Sequence, residues 1–204
     1  MKRPAIIVLL LAAIFILSVP TASFAEHKKG EGYIAVKGGA YFPTSEDLDN
    51  ADFDTGFNGE VVLGMYYNKN LALEFGGGYF QTDASVSDAT GFHEEDDLKV
   101  VPVVVNIKAV LPIQYVELYA GGGFGVYFVD IEADGFDPVV GNFSGDDDDT
   151  IFGGHVLVGA NIDITKHVFI GVEGKYIFTS NARLFGSKIN LDGFTATGVL
   201  GVRF

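Results

Sequence analysis

Eight stretches of this chain, at 32–42, 55–67, 71–81, 98–111, 116–130, 150–164, 168–179 and 191–204, share a composition that leaves little choice of secondary structure. They are built from Val, Ile, Phe, Tyr and Gly. Glycine triplets such as Gly76-Gly77-Gly78 and Gly121-Gly122-Gly123 would break helices, whereas β-branched and aromatic residues suit a pleated surface. The stretches therefore read as strands. At roughly 11 to 15 residues they exceed the typical 5–6 of soluble sheets and match tilted strands that cross a bilayer. Their connections alternate: short turns at Asn68-Lys69-Asn70, 112–115 and 165–167, long polar loops at 43–54, 82–97, 131–149 and 180–190. No linker or repeat divides the chain, so one domain is expected.

Within each stretch the side chains segregate with period two, as strand geometry requires. In the last, Phe194, Ala196, Gly198, Leu200, Val202 and Phe204 share a face, and Thr195, Thr197, Val199, Gly201 and Arg203 the other. Ile170, Val172, Tyr176 and Phe178 stand against Glu173 and Lys175 in the same way, and Phe57, Val61, Leu63, Met65 and Tyr67 against Asn58, Glu60 and Tyr66. A two-sheet soluble fold would alternate too. Strand length, alternating loop length and aromatics gathered near the long-loop ends (Phe42, Phe57, Tyr79, Phe128, Phe152, Phe178, Phe194) assign the apolar face to lipid, with Tyr67, Tyr115 and Phe204 as a thinner girdle opposite. The expected fold is all-β: an eight-stranded antiparallel up-and-down transmembrane β-barrel over 26–204. Tight turns face the periplasm in such barrels, which puts both chain ends there.

The first 25 residues read as a cleaved secretory leader. Lys2 and Arg3 precede an apolar run over 5–17, Pro20 ends it, and Ser23-Phe24-Ala25 supplies a cleavage site. The run is shorter than the roughly 20 residues a membrane-spanning helix needs. An exported chain with no cysteine has neither a disulfide framework nor thiol chemistry. The net charge of −14, or −16 once Lys2 and Arg3 leave, argues against nucleic acid as a partner. Mean hydropathy is nevertheless positive, at +0.28. An acidic yet apolar chain must segregate its charges.

One share lies on the inward face: Lys37, Glu60, Glu74, Lys108, Glu117, Asp163, Glu173, Lys175 and Arg203, with His155 beside them. An eight-stranded barrel leaves room for little besides its own side chains, so these ions are expected to pair, as Glu74 with Lys108, Lys108 with Glu117 and Lys37 with Glu60. The surplus acid falls in three long loops, in Glu46, Asp47, Asp49, Asp52 and Asp54, then Asp83, Asp88, Glu94, Glu95, Asp96 and Asp97, then Glu132, Asp134, Asp137 and Asp146 to Asp149. The fourth loop carries Arg183 and Lys188 instead. Acidic loops stay solvated. The run Asp146, Asp147, Asp148 and Asp149 is also a weak candidate for Ca²⁺ or Mg²⁺, though it lacks the spaced pattern of a dedicated calcium loop.

No catalytic constellation is legible. His27, His93, His155 and His167 fall at the N-terminus, in a long loop, on the inward face and in a turn, and no Ser–His–acid group converges. The glycine clusters lie inside strands with no helix after them, unlike phosphate loops, and serve close packing or curvature. Neither cofactor nor enzymatic activity is expected.

The leader, the eight strands, the alternating loops and the final stretch Gly198-Val199-Leu200-Gly201-Val202-Arg203-Phe204 together resemble the small eight-stranded outer-membrane barrels, the group of the OmpA transmembrane domain and OmpX. The resemblance covers 26–204 and is one of architecture. It implies residence in the outer membrane of a Gram-negative cell among lipid and lipopolysaccharide, with Phe204 as the terminal signal for the barrel-assembly machinery, and divalent cations as candidate partners at the loops. The resemblance does not extend to the peptidoglycan-binding domain of full-length OmpA, so no cell-wall tether is expected. Functions in the group range over membrane integrity, adhesion and host interaction, and narrow-pore transport. The reading taken is a structural or surface barrel with an ion-paired lumen; a narrow porin-like channel and a soluble periplasmic binding barrel are the alternatives.

Overall fold

The computed structural model describes residues 29–44, 55–87, 93–137, 141–184 and 187–204. The leader, His27 and the acids Glu46, Asp47, Asp49, Asp52, Asp54 and Asp88 lie outside them.

Eight antiparallel strands close a barrel: β1 (Gly32–Pro43), β2 (Gly56–Asn68), β3 (Leu71–Ser87), β4 (His93–Ile113), β5 (Val116–Asp137), β6 (Gly141–Asp163), β7 (Val168–Thr179) and β10 (Gly193–Arg203). Each pairs with its sequence neighbour, and β10 returns to β1 in an 11-residue register from Tyr33↔Arg203 to Pro43↔Gly193. Backbone bonds Gly32 N–H to Phe204 O (3.0 Å) and Phe204 N–H to Gly32 O (2.8 Å) finish the seam, so no strand edge is left along the barrel wall. Between β7 and β10 a small hairpin forms from β8 (Ala182–Leu184) and β9 (Ser187–Ile189).

The short turns are built by their own residues. Asn68 Oδ1 accepts the Asn70 N–H at 2.8 Å, Thr165 Oγ1 accepts the Val168 N–H at 2.9 Å, and Gln114 takes a left-handed φ of 52° that closes the tight turn between β4 and β5.

The strands differ from expectation at the other end. Stretches 82–97 and 131–149 were expected as loops, yet the ladder runs on, with β3 and β4 paired to Ser87↔His93 and β5 and β6 to Asp137↔Gly141. Hydrogen bonding here does not need apolar residues, because inward Thr82, Leu98, Val129 and Ile131 continue the buried row while Asp83, Asp97, Glu132 and Asp146 take the solvated outer face. The acids Glu94, Glu95, Asp96, Asp134 and Asp137 and also His93 are thus on strand backbone, not on loops. A four-stranded projection rises above the apolar band.

Outward side chains over the band are large and bare: Phe124 is 71 % exposed, Phe152 69 % and Val172 64 %. The ring residues Phe42, Phe57, Tyr79, Phe128, Phe178 and Phe194 all face outward, as do Tyr67, Tyr115 and Phe204 at the short-turn end. A soluble barrel with this much apolar surface would aggregate, which removes the soluble alternative. Inward aromatics are accommodated by glycines directly opposite: a Cβ on Gly64 would lie 2.0 Å from the Tyr33 ring, and one on Gly201 2.1 Å from Phe169.

Candidate functional site in the barrel lumen

The lumen is filled in three layers. At mid-height Lys37, Lys108 and Lys175 meet Glu60, Glu74 and Glu173, three cations against three anions, all buried. Lys37 Nζ donates to Glu173 at 2.9 and 3.0 Å and to Glu60 at 3.5 Å, with Glu74 at 3.7 Å. Lys108 Nζ donates to Glu74 at 2.7 Å and Glu173 at 3.0 Å, and Lys175 bonds Glu60. Strand register explains the convergence, because Lys37 stands opposite Glu60 across β1 and β2, while Glu173 and Lys175 are two apart on one face of β7.

Neutral donors occupy the remaining carboxylate lone pairs. The Tyr33 hydroxyl donates to Glu74 at 2.7 Å, the Tyr119 hydroxyl to Glu173 at 3.1 Å, and the Asn106 amide to Glu74 at 3.1 Å. Asn106 thereby turns its oxygen to His155 Nε2 at 2.5 Å, which fixes His155 as the donor there. The His155 Nδ1 has no hydrogen-bond partner among the described residues. Gly123 makes room for this contact: a Cβ there would lie 2.4 Å from Asn106 Oδ1 and 2.2 Å from the Val105 carbonyl oxygen.

A second charged group sits toward the short turns. Arg203 Nη1 donates to Asp163 at 2.5 Å, its Nη2 lies 3.8 Å from Glu117, and its guanidinium covers the Phe169 ring at 4.4 Å. Glu117 accepts from the Tyr66 hydroxyl at 2.6 Å and from Asn161 at 2.9 Å. The nine ionisable residues read from the sequence thus fall into a hexad and a triad. The expected pairing of Lys108 with Glu117 is corrected, since Glu117 stands opposite Pro112 and Lys108 opposite Gly121, four residues along the strand.

Apolar layers close both sides of the hexad. Toward the long loops Tyr41, Phe80, Leu98, Val100, Tyr127 and Ile177 pack with Ala182 and Leu191, which the connection after β7 folds inward. Tyr41 stacks on Phe80 at 4.6 Å and donates to the Leu191 carbonyl at 3.0 Å. Toward the turns Tyr33, Val62, Tyr66, Tyr119, Leu157 and Phe169 form the other layer. The cavity beside Glu60 and Lys175 measures about 10 Å³, the room of roughly one water.

The aspartate run is distributed differently from its expectation. It lies within β6, so Asp146 and Asp148 face one side of the sheet and Asp147 and Asp149 the other. Among the described residues no three His, Cys, Asp or Glu converge as a metal site would require. Asp146 instead ends a row of directly opposed acids, Asp83↔Asp97↔Glu132↔Asp146. The hydrogen bond and charge of Asp83 raise the Asp97 carboxyl above its ordinary value. Among the described residues Lys99 answers the row, donating to Glu132 at 2.6 Å. Asp149 turns the other way and accepts the Arg183 N–H at 2.7 Å, which with the Thr150 N–H lowers its carboxyl.

The family model of the outer membrane protein beta-barrel domain matches residues 9–204. The chain belongs to that family. Neisserial surface protein A is similar in structure, with a TM-score of 0.61 at 16 % identity, covering 86 % of this chain and 100 % of that one. Outer membrane protein OprG of Pseudomonas aeruginosa gives 0.60 at 16 % identity over 88 % and 98 % of the two chains. The attachment invasion locus protein Ail of Yersinia pestis gives 0.52 at 14 % over 87 % and 100 %. No curated protein sequence matches this chain. At these identities the likeness is one of fold, and with the family it places this barrel in the Gram-negative outer membrane.

Proposed function

We propose that this protein is a sealed, non-enzymatic outer-membrane barrel with a structural or surface role. The packing of the described lumen supports this reading: a charge-balanced hexad lies between two apolar layers, and the cavity beside Glu60 and Lys175 has room for about one water. Its residues are read as a structural network, because each carboxylate of the hexad is met by a lysine and further hydrogen bonds stabilise Glu74 and Glu173. The leader is read as cleaved after Ala25, Phe204 as the assembly signal, and the acidic projection as the surface shown to the exterior, lipopolysaccharide and divalent cations included.

Planar-bilayer recording of the purified barrel tests it. The expected trace has no discrete steps; steps whose size changes in Glu60→Gln or Lys37→Met would establish the narrow-channel alternative. N-terminal sequencing of the outer-membrane form is expected to begin at Glu26.

A further inference from the structure

The two ends of the barrel are oppositely charged. At the long-loop end the outer face carries the row Asp83, Asp97, Glu132 and Asp146 against Lys99. At the short-turn end the exposed charged side chains among the described residues are Lys29, Lys69 and Lys166. They are spread around the rim, ahead of β1, in the turn from β2 to β3 and in the turn from β6 to β7. The acids of that end turn away from them: Asp163 and Glu117 point inward to Arg203, and Glu31 is half-buried.

These lysines sit where lipid headgroups lie. Lys29 Nζ is 5.3 Å from the centre of the Tyr67 ring, on the outer wall, and Tyr67 is itself exposed. Lys69 follows Tyr67 by two residues, and Lys166 follows the exposed Ile164 by two. The remaining turn presents Tyr115, and the last strand ends in exposed Phe204. Tyrosines at this level mark the membrane interface, and flanking lysines carry their ammonium groups outward along apolar stems.

We propose that this rim is a docking surface for the phosphates of anionic phospholipids in the periplasmic leaflet, held by Lys29, Lys69 and Lys166. This rests on the barrel reading given above. The ligand class follows from charge and position together, since cations at headgroup depth on two sides of the rim, Lys29 with Lys69 on one and Lys166 on the other, meet phosphate oxygens before any other anion. The acidic opposite end repels the same lipids, so the pair of ends fixes which leaflet the rim prefers.

The test uses protein extracted from outer membranes and reconstituted in phosphatidylcholine vesicles that contain trace spin-labelled phosphatidylglycerol or spin-labelled phosphatidylcholine. Electron spin resonance gives the motionally restricted fraction of each. The wild type is expected to prefer phosphatidylglycerol at low salt and to lose the preference at high salt. The variant Lys29→Gln/Lys69→Gln/Lys166→Gln is expected to lower relative association by up to about fivefold per lysine. The corresponding triple Arg variant should keep it. No preference in the wild type, or an undiminished one in the Gln variant, overturns the proposal; the latter would mean that groups other than these lysines hold the lipid. Heat-dependent gel mobility is read in parallel, so that a chain that never inserts is recognised as a failure of the barrel reading, and of the rim with it.

Discussion

Lys37 and Glu173 belong to strands that β10 separates in the barrel wall, yet their side chains meet at 2.9 Å in its centre. Because both are buried in a hexad of three cations and three anions, removing one leaves that buried group with a net charge, at a cost of about 3–5 kcal/mol. Lys37→Met is expected to lower unfolding stability by that amount in urea titrations of the vesicle-bound barrel. Lys37→Met/Glu173→Gln is expected to cost less than the two single changes together, because the neutral pair leaves no stranded charge. Additive losses would show that the two act independently.

The glycines divide by what faces them. A Cβ on Gly123 would strike the Val105 carbonyl oxygen and the Asn106–His155 contact, whereas one on Gly38 meets nothing within 4 Å. Gly123→Ala is therefore expected to destabilise by about 1–3 kcal/mol, as overpacking does, and Gly38→Ala to be tolerated. Urea midpoints of the two variants check this, and equal midpoints would contradict the packing account.

These residues also show how far the sequence was legible. Period-two alternation alone separates Lys37, Glu60, Glu173 and Lys175 from the lipid face, because a strand has two faces and only one can be greasy. Register was harder. Which ions pair depends on the stagger between strands, which alternation leaves open, and so parity alone allows Glu117 to pair with Lys108, whereas the register brings it to the Arg203 group. Tyr33, Tyr119, Asn106 and Asn161 share the inward parity of the ions and were findable on that basis. The inward fold of Ala182 left no such signal, since it belongs to no alternating run, whereas Leu191 shares the inward parity of Thr195 and Thr197. The extension of β3 to β6 was hidden for a different reason: strand composition rules presume a buried face, and above the membrane the outer face is water.

In that extension Asp97 faces Asp83 on one side and Glu132 on the other. Like charges directly opposite one another destabilise a sheet. The raised Asp97 carboxyl means the folded extension binds a proton more readily than the unfolded chain, so stability is gained as pH falls through its folded value and lost above it. Amide exchange in 82–87 and 93–98 is expected to slow in Asp97→Asn at neutral pH. Unchanged or faster exchange would mean the row is already neutralised.

Asp149 has the opposite sign. Its carboxyl is lowered by the Arg183 and Thr150 N–H groups, so the stability it gives the inward-folded connection is present above the unfolded aspartate value, about 3.9, and lost as pH falls through the lower folded one. The Arg183 amide is expected to lose protection below about pH 4, with the barrel strands unaffected. Asp149→Asn should show the loss at neutral pH.

Val172 precedes Glu173 on β7 and therefore lies at the height of the hexad, facing out, while Phe178 lies near the end of the strand. If the outer face meets hydrocarbon, depth decides what a charge costs there: about 2–4 kcal/mol for arginine at the midplane and roughly 0–1 near the interface. Val172→Arg is expected to fall in the first range and Phe178→Arg in the second, measured as unfolding stability in vesicles. Detergent micelles, which deform around a charge, should narrow the difference. Equal costs at the two positions would mean that the hexad does not sit at the centre of the bilayer, and the heights assigned to both rims would shift with it.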